Sequence, residues 1–334
     1  YKQGMIMKLK NLLCSGMLMT ALTAMPALAE TTLKVTLQLP LKHHLGQNLV
    51  DFKNEVESTS NGDIKIQIFP AAQLYKDKEV HHAVSSGAIE MGVMSVTQLA
   101  GTIPAVDVFY VPFMFPTYDK VVKATAPGSE LRGLLDNEII ATGARPLWWQ
   151  AYGGVALLSK KKPIQLPSDM DGMKVRVFGK TLGEFAKSVN AAPTVMAGSE
   201  QFLAYQRGTV DAGMTGVTAV GPRKLYQVMD HLTLTNHANI EFMTIINEKV
   251  WQGLTDRERE ILQNAAVKVE KQLRDKIQTL EADAVANAKK EMNVIELSAD
   301  DVAKWQQATR PVLDSFIENA GPLGQQVIDA ARAL

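Results

Sequence analysis

The sequence contains a single cysteine, Cys14, in 334 residues. It lies inside an apolar leader and follows Leu13, not the small residue that a lipidation site needs. Once the leader is removed, no thiol remains for disulfides, nucleophilic catalysis or metal binding, so stability has to come from packing. An excess of one charge is also missing. The 35 Lys and Arg residues balance 35 Asp and Glu residues, which leaves no field to gather nucleic acid or an anionic membrane surface. After the leader there is no uninterrupted apolar run of about 18 residues, as a membrane-crossing helix requires. The six histidines occur as His43-His44, His81-His82, His231 and His237. Adjacent histidines diverge on a helix or strand, and none shows the i, i+4 spacing of a helical zinc site. There is no G-x-S-x-G elbow, no P-loop and no G-x-G-x-x-G after a strand. Catalytic groups converge from distant positions, so these gaps do not exclude an enzyme. They do point away from one, and neither metal nor cofactor is expected.

The leader has Lys8 and Lys10 ahead of an apolar stretch, Leu12 to Leu28, that closes on Ala27-Leu28-Ala29. A positive start, an apolar middle and small residues before the cut make a secretory signal peptide, with cleavage expected after Ala29 and a periplasmic destination. The alternative, a membrane anchor, is opposed by Ser15, Gly16, Thr20, Thr23 and Pro26 within a short run. Residues before Met7 read as leader without fold information. The 305 residues from Glu30 to Leu334 are enough for two packed domains.

Leu33 to Leu39 alternates as a half-buried strand does, and Leu45, Leu49, Phe52 and Val56 then recur at helical spacing. Asn61-Gly62-Asp63 turns the chain into a second strand, Ile64 to Phe69. A helix through Val80, Ala83 and Val84 ends at Gly87, and a third strand follows from Ile89. Strands alternating with helices argue for parallel βαβ units. Pro104, Pro112 and Pro116 break an aromatic-rich stretch, and a helix is expected from about Tyr118 to Leu135. A strand from Arg145 runs into Gly153-Gly154, a place for the chain to cross between domains. A second βαβ series begins at Lys174. Near the end, Thr255 and Glu258 match a capping box ahead of a periodic run through Ile261, Ala265, Val269, Leu273, Ile277 and Leu280, long enough to span two domains. Ser298 and Asp301 mark another helix start, which Ala320-Gly321-Pro322 is expected to end.

Gly172-Met-Lys-Val-Arg-Val, with Ile164 to Asp171 before it, resembles the solute-binding subunits of tripartite ATP-independent periplasmic (TRAP) transporters of the DctP type. So do Ile68-Phe-Pro-Ala-Ala-Gln-Leu, Ser86 to Gly92, Val111-Pro-Phe-Met-Phe, Ser199-Glu200, Gln206 to Asp211 and Thr235-Asn-His. Each is weak alone, and their order is specific. The resemblance covers nearly all of the chain beyond the leader. It implies an α/β fold of the class II-like periplasmic binding protein type, two domains with hinge strands and a long domain-spanning helix. Residues 30–153 with 242–281 would form the first domain and 154–241 with 282–334 the second, with ligand in the cleft. It also implies partners, a small and a large integral membrane subunit, and uptake driven by an ion gradient.

In that family the arginine matching Arg176 grips a ligand carboxylate. A guanidinium suits the task because it offers two parallel N–H donors and keeps its charge. The bland reading pairs Arg176 with an acid of its own domain, Glu184 or Glu200. Sialic-acid-binding members carry a second arginine where this chain has Ala156, a phenylalanine at Gly198, and Glu-Asn-Pro at Met214-Thr215-Gly216. With one cation left near the cleft, a small monocarboxylate is expected, because a second buried carboxylate needs its own partner. Trp149, Gln150, Tyr152, Phe178 and Tyr110 are candidates for the wall. Strand alternation places Trp148 and Trp149 on opposite faces, and Trp149 is favoured for the cleft. Thr215 is a possible hydroxyl donor, and Gln38 and Ser95 would supply the first-domain side. Asp77 is either a polar contact through water or an exposed helix-start carboxylate. Glu241 would answer an amino group on the ligand, or serve only the hinge. A sensor or feeder protein for an amine or neutral solute is the alternative reading.

Overall fold

The computed structural model describes residues 30–334, so the leader and its expected cleavage point lie outside the described residues. Ten strands carry the fold: β1 Thr31–Leu37, β2 Ile64–Phe69, β3 Met91–Ser95, β4 Ala144–Ser159, β5 Lys174–Val177, β6 Ala192–Val195, β7 Ala212–Gly216, β8 His231–Leu234, β9 Asn239–Asn247 and β10 Asn293–Glu296. The α-helices are α1 His44–Thr59, α2 Asp77–Ser85, α3 Tyr118–Thr125, α4 Glu130–Ala141, α5 Lys180–Ser188, α6 Gln201–Gln206, α7 Glu248–Gly253, α8 Asp256–Ala288, α9 Ala299–Thr309 and α10 Pro311–Arg332.

The sheet order is β2-β1-β3-β9-β4-β7-β5-β6, with β8 paired to β4 and β10. Each end is parallel: β1 lies parallel to β2 and β3, and β5 parallel to β6 and β7. Two antiparallel strands join the ends. The first part of β4 pairs with β9, and its last part pairs with β7 and β8. One 16-residue strand thus belongs to both lobes. At the crossing, Gly153 opposite Ile240 has φ +118°, a value that disfavours any side chain, and the register shifts there by a bulge. The fold is therefore two α/β lobes on shared strands, with a small cavity where they meet.

Helix α8 runs for 33 residues from the cap at Thr255, whose hydroxyl accepts from the Glu258 N–H. It buries Ile261, Ala265, Val269, Leu273 and Ile277 and packs on α1 and β4 and on the turn after β7. Two expected helices differ. The single helix from Tyr118 is two, because Pro127 and Gly128 (φ +81°) break it and Ser129 caps the second. The helix from Ser298 ends at Thr309, ahead of Pro311, and the next continues through a kink at Gly321 (φ +61°) to Arg332. Helix α10 packs on α3 and α4 as well as on α5. It thus touches both lobes, and its apolar stripe of Val312, Phe316, Val327 and Ile328 is buried. No helix among the described residues is long and apolar enough to cross a membrane.

Candidate functional site

The site grows from short strand ends. In β5, Val175 and Val177 alternate into the core, and Arg176 therefore points to the opposite face. It is 3% exposed. Its Nη1 donates to Met214 O at 2.6 Å, while Nε and Nη2 donate to Met196 O at 3.2 and 3.0 Å. The guanidinium lies 5.0 Å from the Phe178 ring centroid. All of these partners are neutral. The two acids of its own lobe that sequence offered as partners are elsewhere, Glu184 on Lys187 and Glu200 on Lys76.

Arg176 faces a small cavity between the lobes. The first lobe contributes Gln38, Asp77 and Ser95; the crossing strands contribute Tyr152, Ile240 and Phe242. The second lobe contributes Arg176, Phe178, Gly198, Gln201, Thr215 and Arg223. The lobes are closed over it. Lys76 Nζ reaches Glu200 across the cleft at 2.8 Å, Gln98 donates to Phe178 O at 3.1 Å, and Gly179 leaves no room for a Cβ against Thr97. The Tyr152 ring stacks on Phe242 with centroids 5.1 Å apart and lies tilted against His43 at 4.9 Å. A wider groove of about 560 Å³ lies along α8 past His44. Its lining carries both signs of charge, Lys42, Lys276 and Lys290 with Asp51, Asp283 and Glu291.

Asp77 opens α2 and is buried, not exposed. Its Oδ1 accepts from the Ser95 N–H at 3.1 Å. Burial pushes its pKa up to about 7, against the pull of that N–H and of the Arg223 and Arg176 charges. Burial works the other way on Arg176, lowering its pKa, and the neighbouring Arg223 lowers it further. Sequence reasoning missed Arg223 as a site residue. It sits on the loop after β7, its Nη1 donating to Gly198 O and its Nη2 to Gln38 Oε1 at 3.5 Å. Its Nε has no partner. Nothing local marks it, because a loop cation becomes a cavity cation only through the closing of the fold. Gly198 makes the space: a Cβ there would come within 3.0 Å of both Arg223 Nη2 and Gln38 Oε1. The expectation of a single cation near the cleft, on which the monocarboxylate rested, is therefore corrected.

Three of the expected wall residues, Trp149, Gln150 and Tyr110, and the expected amine partner Glu241 lie outside the cavity. Trp149 turns into the first lobe, its indole N–H on Asp136 Oδ1 at 2.9 Å and its ring against Phe109. Trp148 takes the other face, donating to Asn48 and packing on Phe52. Alternation separated the two tryptophans but could not say which face meets the cleft, and both faces of β4 are covered there. Gln150 is held by Asn48 at 2.7 Å. Tyr110 stands one layer back, its hydroxyl 3.1 Å from Ser95 Oγ and 3.4 Å from Glu241 O, its ring edge-on to Phe178. Glu241 is taken by Arg274 of α8, with two hydrogen bonds of 3.1 and 2.8 Å, and is not available to a ligand amine. Among the described residues no group of three or more His, Cys, Asp or Glu side chains is arranged to hold a metal.

The model of the bacterial extracellular solute-binding protein family 7 (DctP) matches residues 37–319. The chain is similar to the C4-dicarboxylate-binding periplasmic protein DctP of Rhodobacter capsulatus, 28% identical over 317 residues that cover 93% of this chain and 94% of that one. It is also similar to the sialic acid-binding periplasmic protein SiaP of Vibrio cholerae, at 27% over 311 residues and 92% and 94% coverage. Among solved structures, a TRAP periplasmic solute-binding protein of Sulfurospirillum deleyianum with bound succinate superposes with a TM-score of 0.84 at 27% identity, covering 91% of this chain and 99% of that one. One of Polaromonas sp. JS666, bound to D-erythronate, superposes at 0.85 with 28% identity and coverage of 91% and 99%.

Proposed function

Because the chain belongs to family 7 of the bacterial extracellular solute-binding proteins, as a TRAP solute-binding subunit, we propose that it captures a small organic acid outside the cytoplasm and delivers it to a TRAP permease. One observation carries this reading: Arg176 is buried, faces the interlobe cavity and is hydrogen-bonded only to carbonyl oxygens. A buried guanidinium without an anion leaves an uncompensated charge, which a ligand carboxylate removes through two parallel hydrogen bonds. Thr215 and Gln201 add polar contacts, and Phe178, Tyr152, Ile240 and Phe242 exclude water. The charge count no longer restricts the ligand to a monocarboxylate, since Arg223 shares the cavity.

Capture works by hinge closure about the paired residues Gly153 and Ile240. Ligand favours the closed form because it bridges Arg176 of one lobe and Gln38 and Ser95 of the other, contacts that the open form cannot make together. The closed surface is what the small and large membrane subunits recognise, with an ion gradient driving uptake from the periplasm. A thermal-shift screen of short mono- and dicarboxylates, sugar acids, amines and neutral solutes tests the reading. An acid present at about 100 times its Kd adds close to 3 kcal/mol of stability, and Arg176→Ala abolishes that gain while the variant still melts cooperatively. Stabilisation by amines or neutral solutes alone would sink the acid reading.

A further inference from the structure

Outside the cavity the lobes also meet at the turn that leads from β5 into α5. Gln98 of the first lobe donates to Phe178 O at 3.1 Å. Gly179 lies so close to Thr97 that a Cβ on it would overlap the threonine Oγ1. Its φ of −155° and ψ of 166° are ordinary extended backbone, so the glycine serves the close approach and not the turn. Next along the chain, the Thr181 N–H donates to Asp107 Oδ2 at 3.1 Å. Asp107 is buried on the short first-lobe turn Pro104–Tyr110, whose Tyr110 ring meets Phe178 edge-on. The Thr181 N–H belongs to the first turn of α5, where a helix has no carbonyl of its own to offer. The usual acceptor is the side chain of the N-cap residue, which here is Gly179 and has none. Helix α5 of the second lobe is therefore capped from the first.

We infer that Asp107 is a closure-dependent cap: it completes α5 only when the lobes meet, and by doing so fixes the turn that holds Phe178 beside Arg176. Asp107 does not line the interlobe cavity, so it is a positioning residue that acts through Phe178. The inference rests on the reading of capture by hinge closure and is independent of which acid is bound. In the open form water serves both the Thr181 N–H and the Asp107 carboxyl. Closing strips that water, and the seam makes up only part of the loss, since Asp107 Oδ1 and Thr97 Oγ1 end buried without partners. Without Asp107 the Thr181 N–H would be buried unpaired as well. The cap thus keeps closing feasible without making it favourable alone, which leaves the balance between open and closed forms to whatever fills the cavity.

The test is amide hydrogen exchange at Thr181, without ligand, in protein whose lobes are free and in protein whose lobes are linked. From Glu30 onward the chain has no cysteine. Lys76→Cys with Glu200→Cys, at the ion pair across the cleft, therefore takes a short bis-maleimide without competing sites. Linking is expected to slow exchange at Thr181 by about 10-fold or more, because an amide exposed by lobe opening can then no longer open. Phe185, one turn further on and bonded within α5, is the reference and is expected to change by less than about 2-fold. With Asp107→Ala added, linking no longer protects Thr181, whose rate stays within about 3-fold of the unlinked one. A Thr181 rate unchanged by linking overturns the inference, since Asp107 then caps α5 in both forms or in neither. Full protection by the linker in Asp107→Ala overturns it too. The first comparison needs no change at Asp107, so poor folding of Asp107→Ala does not shield the inference. Neither result bears on the acid reading, which stands or falls with Arg176→Ala.

Discussion

A guanidinium bonded only to carbonyl oxygens keeps its charge without neutralising it, and this sets Arg176, with Arg223 beside it, apart from Arg132 and Arg274. Arg132 and Arg274 are each paired with a glutamate. Arg176 is poised for a partner that the chain itself does not supply. Arg176→Lys preserves the charge but not the fork: a single ammonium cannot hold Met196 O, Met214 O and both oxygens of a carboxylate in one plane. Acid affinity measured by titration calorimetry is expected to fall by about 10- to 100-fold, with the melting temperature much less affected. Affinity within about 3-fold of wild type would mean that the planar fork is not what holds the acid. The family resemblance is what singled out Arg176; the strand pattern around it, Val175 and Val177, agrees that a charged residue between them must leave the core but does not say what it meets. Arg223 was not legible, since its place depends on a loop folding back on Gly198. Trp149 was half legible: its strand phase could be read, but not what covers each face of that strand.

At the scale of elements, α8 is fastened to the crossing strand β9 by charge. Glu241 of β9 meets Arg274 of α8, and one turn earlier Glu270 accepts from Arg132 of α4 at 2.6 Å and from the Trp149 N–H at 3.2 Å. Asp136 closes the chain through Arg132 and the Trp149 indole. Glu241 and Trp149, both expected to face ligand, therefore belong to a buried network that ties helix, strand and hinge together. Such a network contributes less to net stability than its pairing geometry implies, but half of it is costly to lose. Arg274→Ala leaves Glu241 buried and unpaired, and should destabilise the protein by about 3 to 5 kcal/mol, read as a lower urea midpoint. A loss below about 1 kcal/mol would show that water reaches Glu241 and that the clamp is slack. Periodicity found α8 and its cap because Thr255, Glu258 and the apolar repeat agree locally. It missed the break at Pro127-Gly128, where apolar spacing continues across a turn that the backbone cannot make helical.

Over the whole molecule, the burial of Asp77 depends on both lobes, because its cavity is walled by Arg176, Phe178 and Arg223 of the opposite lobe. Its pKa therefore reports how far the cleft is closed without ligand. In the closed protein the carboxyl titrates near 7, and in the unfolded chain near 3.8. Between those values the folded protein holds a proton that the unfolded chain has released. With fewer protons on the unfolded side, stability falls as pH rises from about 4 to about 7 and is level on either side. The full difference is on the order of 4 kcal/mol. Other buried acids such as Asp107 and Glu281 also have raised pKa values, so the informative quantity is the difference between wild type and Asp77→Asn, measured by urea unfolding across that range. Asp77→Asn mimics the protonated carboxyl. Its advantage over wild type is expected to grow with pH through the window and then to hold constant. A difference that stays flat from pH 4 to pH 7 would mean that Asp77 is solvated in the free protein, so that its cleft stands open until ligand arrives and closure is driven wholly by binding.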